Sequence, residues 1–271
     1  MDKLKKAEDW LAWADKVVIG AGAGFSTAAG LRYDGAEFQA VFKDFIDRYH
    51  FTDLYTSSFY NFDSREEFWA AWALHIDLIR FRPHALPLYL RLLEKVRDKD
   101  YFVITTNVDG QFRKSGFSAQ HLFEVQGDYA FLQCSHACHN TLYYNNDIVK
   151  EMVANTRDCR IPTSLVPRCP RCGEEMAVHV RVDNCFVQDE EWNKAAEHYL
   201  GFVEACGGKK ALLLELGVGF NTPTIIRYPF EQLSLRNNNI RMIRINASDV
   251  RTAFPDNPRL LSITEDLSKV F

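Results

Sequence analysis

An open, doubly wound parallel sheet of the α/β class is the fold this sequence predicts, and three observations predict it. Short, near-continuous apolar runs recur at residues 16–20 (KVVIG), 101–106 (YFVITT), 211–216 (ALLLEL) and 240–246 (IRMIRIN), as the buried strands of a parallel sheet do. Stretches of helical periodicity separate these runs, and that alternation builds sheets with helices on both faces. The first run also opens directly into a loop of three glycines, Gly20-Ala21-Gly22-Ala23-Gly24, the turn by which a strand enters a helix in nucleotide-binding sheets. The class is therefore Rossmann-type.

Each element follows in order. Leu4, Ala7, Leu11 and Ala14 recur at helical spacing with Trp10 and Trp13 beside them, which predicts an amphipathic first helix. The strand at 16–20 and its glycine loop come next. From about residue 37 to 82 the chain is rich in Phe, Tyr and Trp at helix-like intervals, as in Phe38, Val41, Phe42, Phe45 and Ile46, and a small helical insertion is expected there. A helical pattern over 86–96 leads into the second strand at 101–106. Residues 131–176 hold paired cysteines and little periodicity, which predicts a loop-rich, zinc-ribbon-like module held together by its ligand. Residues 1–130 and 177–271 are expected to form the nucleotide-binding domain, and 131–176 the metal module.

Composition narrows the function classes. A chain of 271 residues can bury one substantial core with a small accessory module. Its 47% hydrophobic and 25% charged content is that of an ordinary globular protein. A net charge of −4 gives no electrostatic reason to expect nucleic acid or an anionic membrane as a partner. Met1-Asp2-Lys3-Leu4-Lys5-Lys6 leads into an acidic, Trp-bearing stretch instead of a leader's apolar segment. Nor does any segment approach the roughly 18 apolar residues that span a bilayer. Seven cysteines, four of them in two close pairs, point to a reducing compartment and a metal site, so a cytoplasmic location is expected.

The chemistry-bearing residues lie after strands. Glycines suit a backbone that must approach a pyrophosphate closely, with N–H groups turned to the charge. Gly20, Ala21, Gly22, Ala23 and Gly24, followed by the helix-capping types Ser26 and Thr27, meet that need, although a tight strand-to-helix turn without a ligand would use the same residues. The spacing departs from the dehydrogenase fingerprint: Phe25 stands where a third glycine or alanine belongs, and no strand ending in an acid appears about twenty residues on. Plain hydride transfer is therefore disfavoured. Thr106 closes the second strand, and Asn107 and Asp109 follow it at the end where ligands of such sheets collect; capping of the next helix is the simpler use of that pair.

Cys169-Pro170-Arg171-Cys172 is a strong knuckle pattern that converges two thiolates on one tetrahedral zinc, and Cys134 and Cys138 are its wider-spaced partners. His136 and His139 sit close enough to compete. Four sulfurs are favoured, with His139 as the substitute, and four filled positions make the metal structural. Cys159, Cys185 and Cys206 are expected to be ordinary buried thiols.

The order of these motifs, Gly20 to Gly30 (GAGAGFSTAAG), Thr105-Thr106-Asn107-Val108-Asp109, Glu124-Val125-Gln126-Gly127, then the two cysteine pairs, resembles the sirtuin family from about residue 16 to 246. The resemblance implies NAD as co-substrate and structural zinc. It implies that Asp109 binds the nicotinamide carboxamide, that Asn107 faces the ribose, and that Gly217-Val218-Gly219 and Asn246 complete the nucleotide site. The family's Ile-Pro-Asp-Phe-Arg stretch is replaced by Leu31-Arg32-Tyr33-Asp34-Gly35; Tyr33 is the candidate for the shielding ring and Arg32 for the charge. Val218-Gly219 departs from the family's Thr-Ser, so a hydroxyl contact to phosphate is lost.

Position 126 is the decisive departure. The family carries histidine there, whose imidazole titrates near pH ~6.5 and serves as a base; the Gln126 amide takes up no proton. Nicotinamide release survives this change, whereas acyl removal, which needs a ribose hydroxyl deprotonated, loses a contribution of about two to four powers of ten. The pattern resembles the macrodomain-linked (class M) microbial sirtuins. That resemblance implies protein ADP-ribosyltransfer, an acceptor that is a lipoyl-carrying homologue of the glycine cleavage H protein, and a macrodomain hydrolase as functional partner. Arg181, in Val180-Arg181-Val182-Asp183-Asn184, is the candidate to orient an acceptor carboxylate or a phosphate, or else a solvated surface arginine. The candidate catalytic set is thus Asn107, Asp109, Gln126 and Arg181. His121 and His179 are expected to be ordinary surface or core histidines. Slow deacylation, NAD hydrolysis and non-catalytic binding of NAD or ADP-ribose are the competing readings.

Overall fold

The computed structural model describes residues 3–271. Met1 and Asp2, which open the segment considered above as a leader, lie outside the described residues. The strands are β1 (Lys16–Ala21), β2 (Asp100–Thr105), β3 (Leu122–Glu124), β4 (Gly127–Cys134), β5 (Tyr143–Tyr144), β6 (Met176–Val180), β7 (Ala211–Leu216), β8 (Ile240–Asn246) and β9 (Leu260–Thr264). Six of them form a parallel sheet in the order β3-β2-β1-β7-β8-β9. The other three form a small antiparallel sheet, β5-β4-β6. The chain leaves β1 toward β2 on one side and later returns beside β1 as β7, so the switch point falls between β1 and β7. That is where ligands of doubly wound sheets bind.

The helices are α1 (Lys3–Trp13), α2 (Ala23–Ala28), α3 (Ala36–Val41), α4 (Lys43–Tyr49), α5 (Leu54–Ser58), α6 (Arg65–Ile76), α7 (Pro87–Val96), α8 (Gln111–Lys114), α9 (Asn146–Asn155), α10 (Glu190–Cys206) and α11 (Arg227–Arg236). Local chemistry sets the longer ones. Ser64 caps α6 by accepting from the Glu67 N–H, with Glu66 and Glu67 in the first turn. Pro87 begins α7, where its missing N–H costs nothing. Asp189 caps α10 by accepting from Trp192 N–H at 2.8 Å. A π turn, Asp77–Phe81, follows α6 and delivers Arg80 to a buried position; such turns recur at functional sites. No helix among the described residues is long and apolar enough to cross a membrane.

Three apolar clusters hold the molecule. Val17, Ile19, Leu212, Leu214 and Ile243 on one sheet face pack with Trp10 of α1 and Leu88 and Leu92 of α7. Val18, Phe102, Leu213 and Met242 on the other face pack with Phe230 of α11 and Cys206 of α10. Both faces are covered, which is why these strands read as continuous apolar runs. The third cluster joins the aromatic helices to the small sheet: Phe38, Phe42, Phe45 and Trp69 share one core with Leu132, Val149, Met152 and Met176. The helical insertion and the cysteine-bearing segment are therefore packed as one body. That segment is less loop-rich than its sequence suggested, since α9 lies in the middle of it. Ile148, Val149, Met152 and Val153 carry the helical repeat, and they bury against the third core.

Candidate active site

β1, β2 and β7 end level, with Ala21 paired to Thr105 on one side and to Leu216 on the other. The loops that follow leave from one line. They interlock backbone to backbone: Gly22 N–H donates to the Leu216 carbonyl and Gly24 N–H to the Gly217 carbonyl, both at 3.0 Å. Gly217 has φ +60°, and a Cβ there would overlap the Phe25 nitrogen; a Cβ on Gly24 would come 2.8 Å from the Gly217 carbonyl oxygen. The glycines thus have a use besides approach to a ligand, because only bare backbone lets these two loops meet. Thr27 turns its hydroxyl back onto the Ala23 carbonyl of its own helix, and Thr106 N–H donates to the Ala21 carbonyl.

A buried polar cluster fills the space beneath the loops. Ser26 Oγ donates its one proton to Asp109 Oδ2 at 2.5 Å. The Tyr89 hydroxyl, 2.8 Å from Ser26 Oγ, must then donate to it. Asn107 Nδ2 donates to the Gly22 carbonyl at 3.1 Å and to Ser26 Oγ at 3.0 Å, and Asn107 N–H donates to Thr105 Oγ1. Asp109 Oδ1 accepts from Gln111 N–H at 2.9 Å. Burial raises the Asp109 carboxyl above its ordinary range, opposed by the Ser26 hydrogen bond. Tyr33 stands beside this cluster; burial, then Tyr129 and Asp109, push its phenol up. Asn107 and Asp109 are therefore more than helix caps. Tyr89 had no motif to announce it.

Asn246 has local partners at the nucleotide loops. Its Nδ2 donates to the Val218 carbonyl at 3.2 Å, and its Oδ1 accepts from Ser248 and Asp249 N–H. Under it, Arg227 donates to the carbonyls of Val218 and Arg251, and the fully buried Arg244 is held by Glu215 at 2.6 and 2.9 Å and by Glu231 at 2.7 Å. Glu215 and Arg244 face each other across β7 and β8. The single acid of the run ALLLEL and an arginine at the matching register of IRMIRIN were the signal for this pair.

Gln126 and Arg181 meet at the first rung of the small sheet, where Arg181 N–H donates to the Gln126 carbonyl at 3.0 Å and Gly127 pairs with Val180. Gln126 is half-buried. The Arg181 guanidinium lies over the Phe186 ring at 4.2 Å and 5.5 Å from Trp192, whose Nε1 donates to the Val125 carbonyl; it is a packed side chain and not a solvated one. His179 is a satisfied core histidine, stacked on Phe186 with Nε2 donating to the Val187 carbonyl at 2.9 Å. His121 stands before β3, at the opposite end of that strand from Gln126, against Tyr101.

Charges crowd the same turn. Arg80 grips Asp128 through two bonds of 2.6 and 2.9 Å. Glu124 accepts from Arg113 at 2.5 Å, yet burial and then Asp128 push its carboxyl up to about 7. Burial and then Arg80 pull Lys114 down to about 8, with its Nζ donating to the carbonyls of Arg80 and Pro83.

Cys134, Cys138, Cys169 and Cys172 place their sulfurs within 4.8 Å of one another, with Cys134–Cys172 at 3.6 Å and Cys138–Cys169 at 3.7 Å. A tetrahedron of Zn–S bonds near 2.3 Å has edges of about 3.8 Å, so the four fit a structural zinc. His139 is a neighbour, with Nδ1 3.0 Å from the Cys138 sulfur and Nε2 bonded to the Tyr143 hydroxyl. Of the remaining thiols Cys159 and Cys206 are buried; Cys185 is half-buried, not buried as its composition suggested.

The fixed donors and buried carboxylate at the ends of β1, β2 and β7 are of the kind that stabilises a cation-like sugar, and the residue at the turn into β4, Gln126, is an amide that takes up no proton. The model of the Sir2 family matches residues 22–200. A Staphylococcus aureus protein named "Protein ADP-ribosyltransferase" is 35% identical over 256 residues, covering 94% of this chain and 81% of that one. A Fusarium oxysporum f. sp. cubense protein named "Probable bifunctional ADP-ribose hydrolase/ADP-ribosyltransferase" is 32% identical over 253 residues, 89% of this chain and 42% of its own. The solved structure of Sir2Tm bound to a propionylated peptide has the same fold, with a TM-score of 0.61 at 21% identity, covering 99% of this chain and 95% of that one.

Proposed function

The chain belongs to the Sir2 family, and from that premise we propose that it is an NAD-dependent protein ADP-ribosyltransferase. The observation that carries this reading is Gln126, an amide at the turn between β3 and β4 where a base is needed for acyl removal. NAD supplies an electrophilic ribose C1′ and nicotinamide as leaving group. In this proposal Asp109 holds the nicotinamide carboxamide, and Asn107 and Gln126 present dipoles to the ribose. The loops of Gly20 to Gly24 and of Gly217, Val218 and Gly219 receive the pyrophosphate, while Ser26, Thr27, Tyr33, Thr106 and Asn246 complete the nucleotide surface. The bond from C1′ to the nicotinamide nitrogen breaks with its electron pair leaving on nicotinamide, and an acceptor oxygen donates the pair for the new bond. A carboxylate acceptor arrives already ionised, so the site needs no base. Arg181, beside Gln126, orients that acceptor through its planar donors.

The acceptor in this proposal is a lipoylated carrier protein of the glycine cleavage H type, with a macrodomain hydrolase removing the mark in the cytoplasm. The Fusarium relative's name joins ADP-ribose hydrolysis to transfer in one chain, which supports the pairing of the two activities. Radiolabelled NAD with and without the lipoylated carrier tests the reading: label moves onto the carrier with stoichiometric nicotinamide release. Free ADP-ribose alone means hydrolysis, acyl-ADP-ribose means deacylation, and absence of nicotinamide means a binding module; each contradicts it.

A further inference from the structure

The two turns that carry the proposed chemistry belong to different sheets. Asn107, Asp109 and Gly110 follow β2 of the large sheet, whereas Gln126, Gly127 and Asp128 lead into and begin β4 of the small one. Arg80 lies between them, 9% exposed, on the π turn that follows α6. Toward the first turn its guanidinium fills the space that a Cβ on Gly110 would need, and Gly110 has φ +66°. Bare backbone in a left-handed conformation is what both facts require there. Toward the second turn the guanidinium forks onto Asp128, through Nε at 2.6 Å and Nη2 at 2.9 Å. Asp128 is itself 4% exposed, and its Oδ1 also accepts from Ala130 N–H at 2.8 Å, which ties the carboxylate to its own strand. One backbone bond crosses the same gap, from Tyr129 N–H to the Val108 carbonyl at 3.0 Å. Lys114 Nζ donates to the carbonyls of Arg80 and Pro83 and so holds the arginine's own backbone.

A buried ion pair is a weak source of stability, because desolvating two charges offsets much of their attraction. What this pair supplies is direction. The planar fork of an arginine on a carboxylate fixes both the distance and the angle between the parts it joins. Asp109, whose carboxyl burial raises, also feels both ends of the pair, Asp128 adding to that rise and Arg80 opposing it. We infer that Arg80 is a positioning residue: through its fork onto Asp128 and its packing on Gly110 it sets the Gln126 turn against the turn of Asn107 and Asp109, so that both present their side chains to one ribose. What each turn does there rests on the transferase reading; their being joined through Arg80 does not.

Arg80→Lys keeps the charge and loses the fork. Hydrogen–deuterium exchange read by mass spectrometry is expected to rise about tenfold at residues 106–110 and 124–130 together, the span of one hydrogen bond, and to stay unchanged at 217–219. In the same variant kcat for nicotinamide release from NAD falls about 10²-fold, as a small misplacement of reacting groups costs, while KM for NAD holds because the phosphate and adenosine contacts lie on other loops. The second variant, Arg80→Gln with Asp128→Asn, removes both buried charges at once and therefore folds. Its melting temperature recovers relative to Arg80→Lys, but exchange at both turns stays high and kcat stays low. Should Arg80→Lys not fold, exchange and kcat in the double variant decide. Exchange that rises at neither turn, or at one alone, overturns the positioning role. So does a loss that falls wholly in KM, or a kcat that recovers with the melting temperature, which is the behaviour of a purely structural cation. A wild-type protein that releases no nicotinamide contradicts the transferase reading instead, and the exchange data still decide whether Arg80 joins the two turns.

Discussion

Asn107 shows how much one side chain can organise. Its Nδ2 serves the Gly22 carbonyl and Ser26 Oγ and lies 3.4 Å from the Tyr89 hydroxyl. Asn107→Ala strands those acceptors in a buried site, and the expected loss is about 1–3 kcal/mol in urea unfolding with a drop of about 10²–10³ in nicotinamide release. Gln126→Ala removes a neutral dipole and nothing that titrates: transfer falls about tenfold with the shape of the pH–rate profile unchanged. Glu124 supplies the residue-scale pH dependence. Its folded value of about 7 lies above the ordinary 4.5, so the folded state holds that proton longer than the unfolded chain. The associated stability is complete below pH 4.5 and is lost as the pH rises to 7, on the order of 3 kcal/mol by linkage. Urea midpoints at pH 5 and pH 8 measure it, and Glu124→Gln flattens the difference. Residues with motifs around them, Asn107, Asp109 and Gln126, stood out in the sequence. Tyr89, Arg80 and Arg113 did not, because each reaches the site from an element with no pattern beyond helical periodicity.

At the scale of elements, the turn from β3 into β4 carries Gln126 and depends on Gly127. Gly127 has φ +94°, and a Cβ there would overlap the His179 carbonyl. Gly127→Ala combines a left-handed strain with a steric clash on a neighbouring strand, and a loss of about 2 kcal/mol or more is expected in urea unfolding, together with loss of transfer. The four strands with long apolar runs, β1, β2, β7 and β8, were legible because both faces of the sheet are covered. β3 has only three residues at one sheet edge, and the five of β9 at the other are broken by Ser262 and Thr264, so neither reads as a continuous apolar run. α9 was missed for another reason. Its apolar residues form a helical stripe, but the flanking cysteines and the polar Asn145-Asn146-Asp147 entry draw the reading toward a ligand-held loop. Arg181 shows the same competition: its strand pairing with Gln126 and its packing on Phe186 are tertiary facts that local pattern cannot express.

The whole molecule couples the metal module to the site. Cys134 ends β4, the strand that Gly127 begins directly after Gln126, and β4 shares its core with the aromatic helices. Stripping zinc from the four sulfurs with a chelator is therefore expected to lower the melting temperature by about 10 °C or more and to abolish transfer, although no sulfur stands at the reacting carbon. Metal analysis should return a single zinc per chain, and Cys172→Ser should release it. The order of motifs in the sequence was enough to imply this architecture, but not that the metal module and the helical insertion are one packed body, since the contacts joining them span distant residues such as Trp69 and Met152. The proposed reaction needs a centre that makes ribose C1′ electrophilic without supplying a base to the acceptor. Mass spectrometry of the modified carrier tests this most directly. An adduct on an aspartate or glutamate side chain, released by neutral hydroxylamine, is predicted; an adduct on a serine hydroxyl or lysine amine, each of which must lose a proton to react, would contradict it.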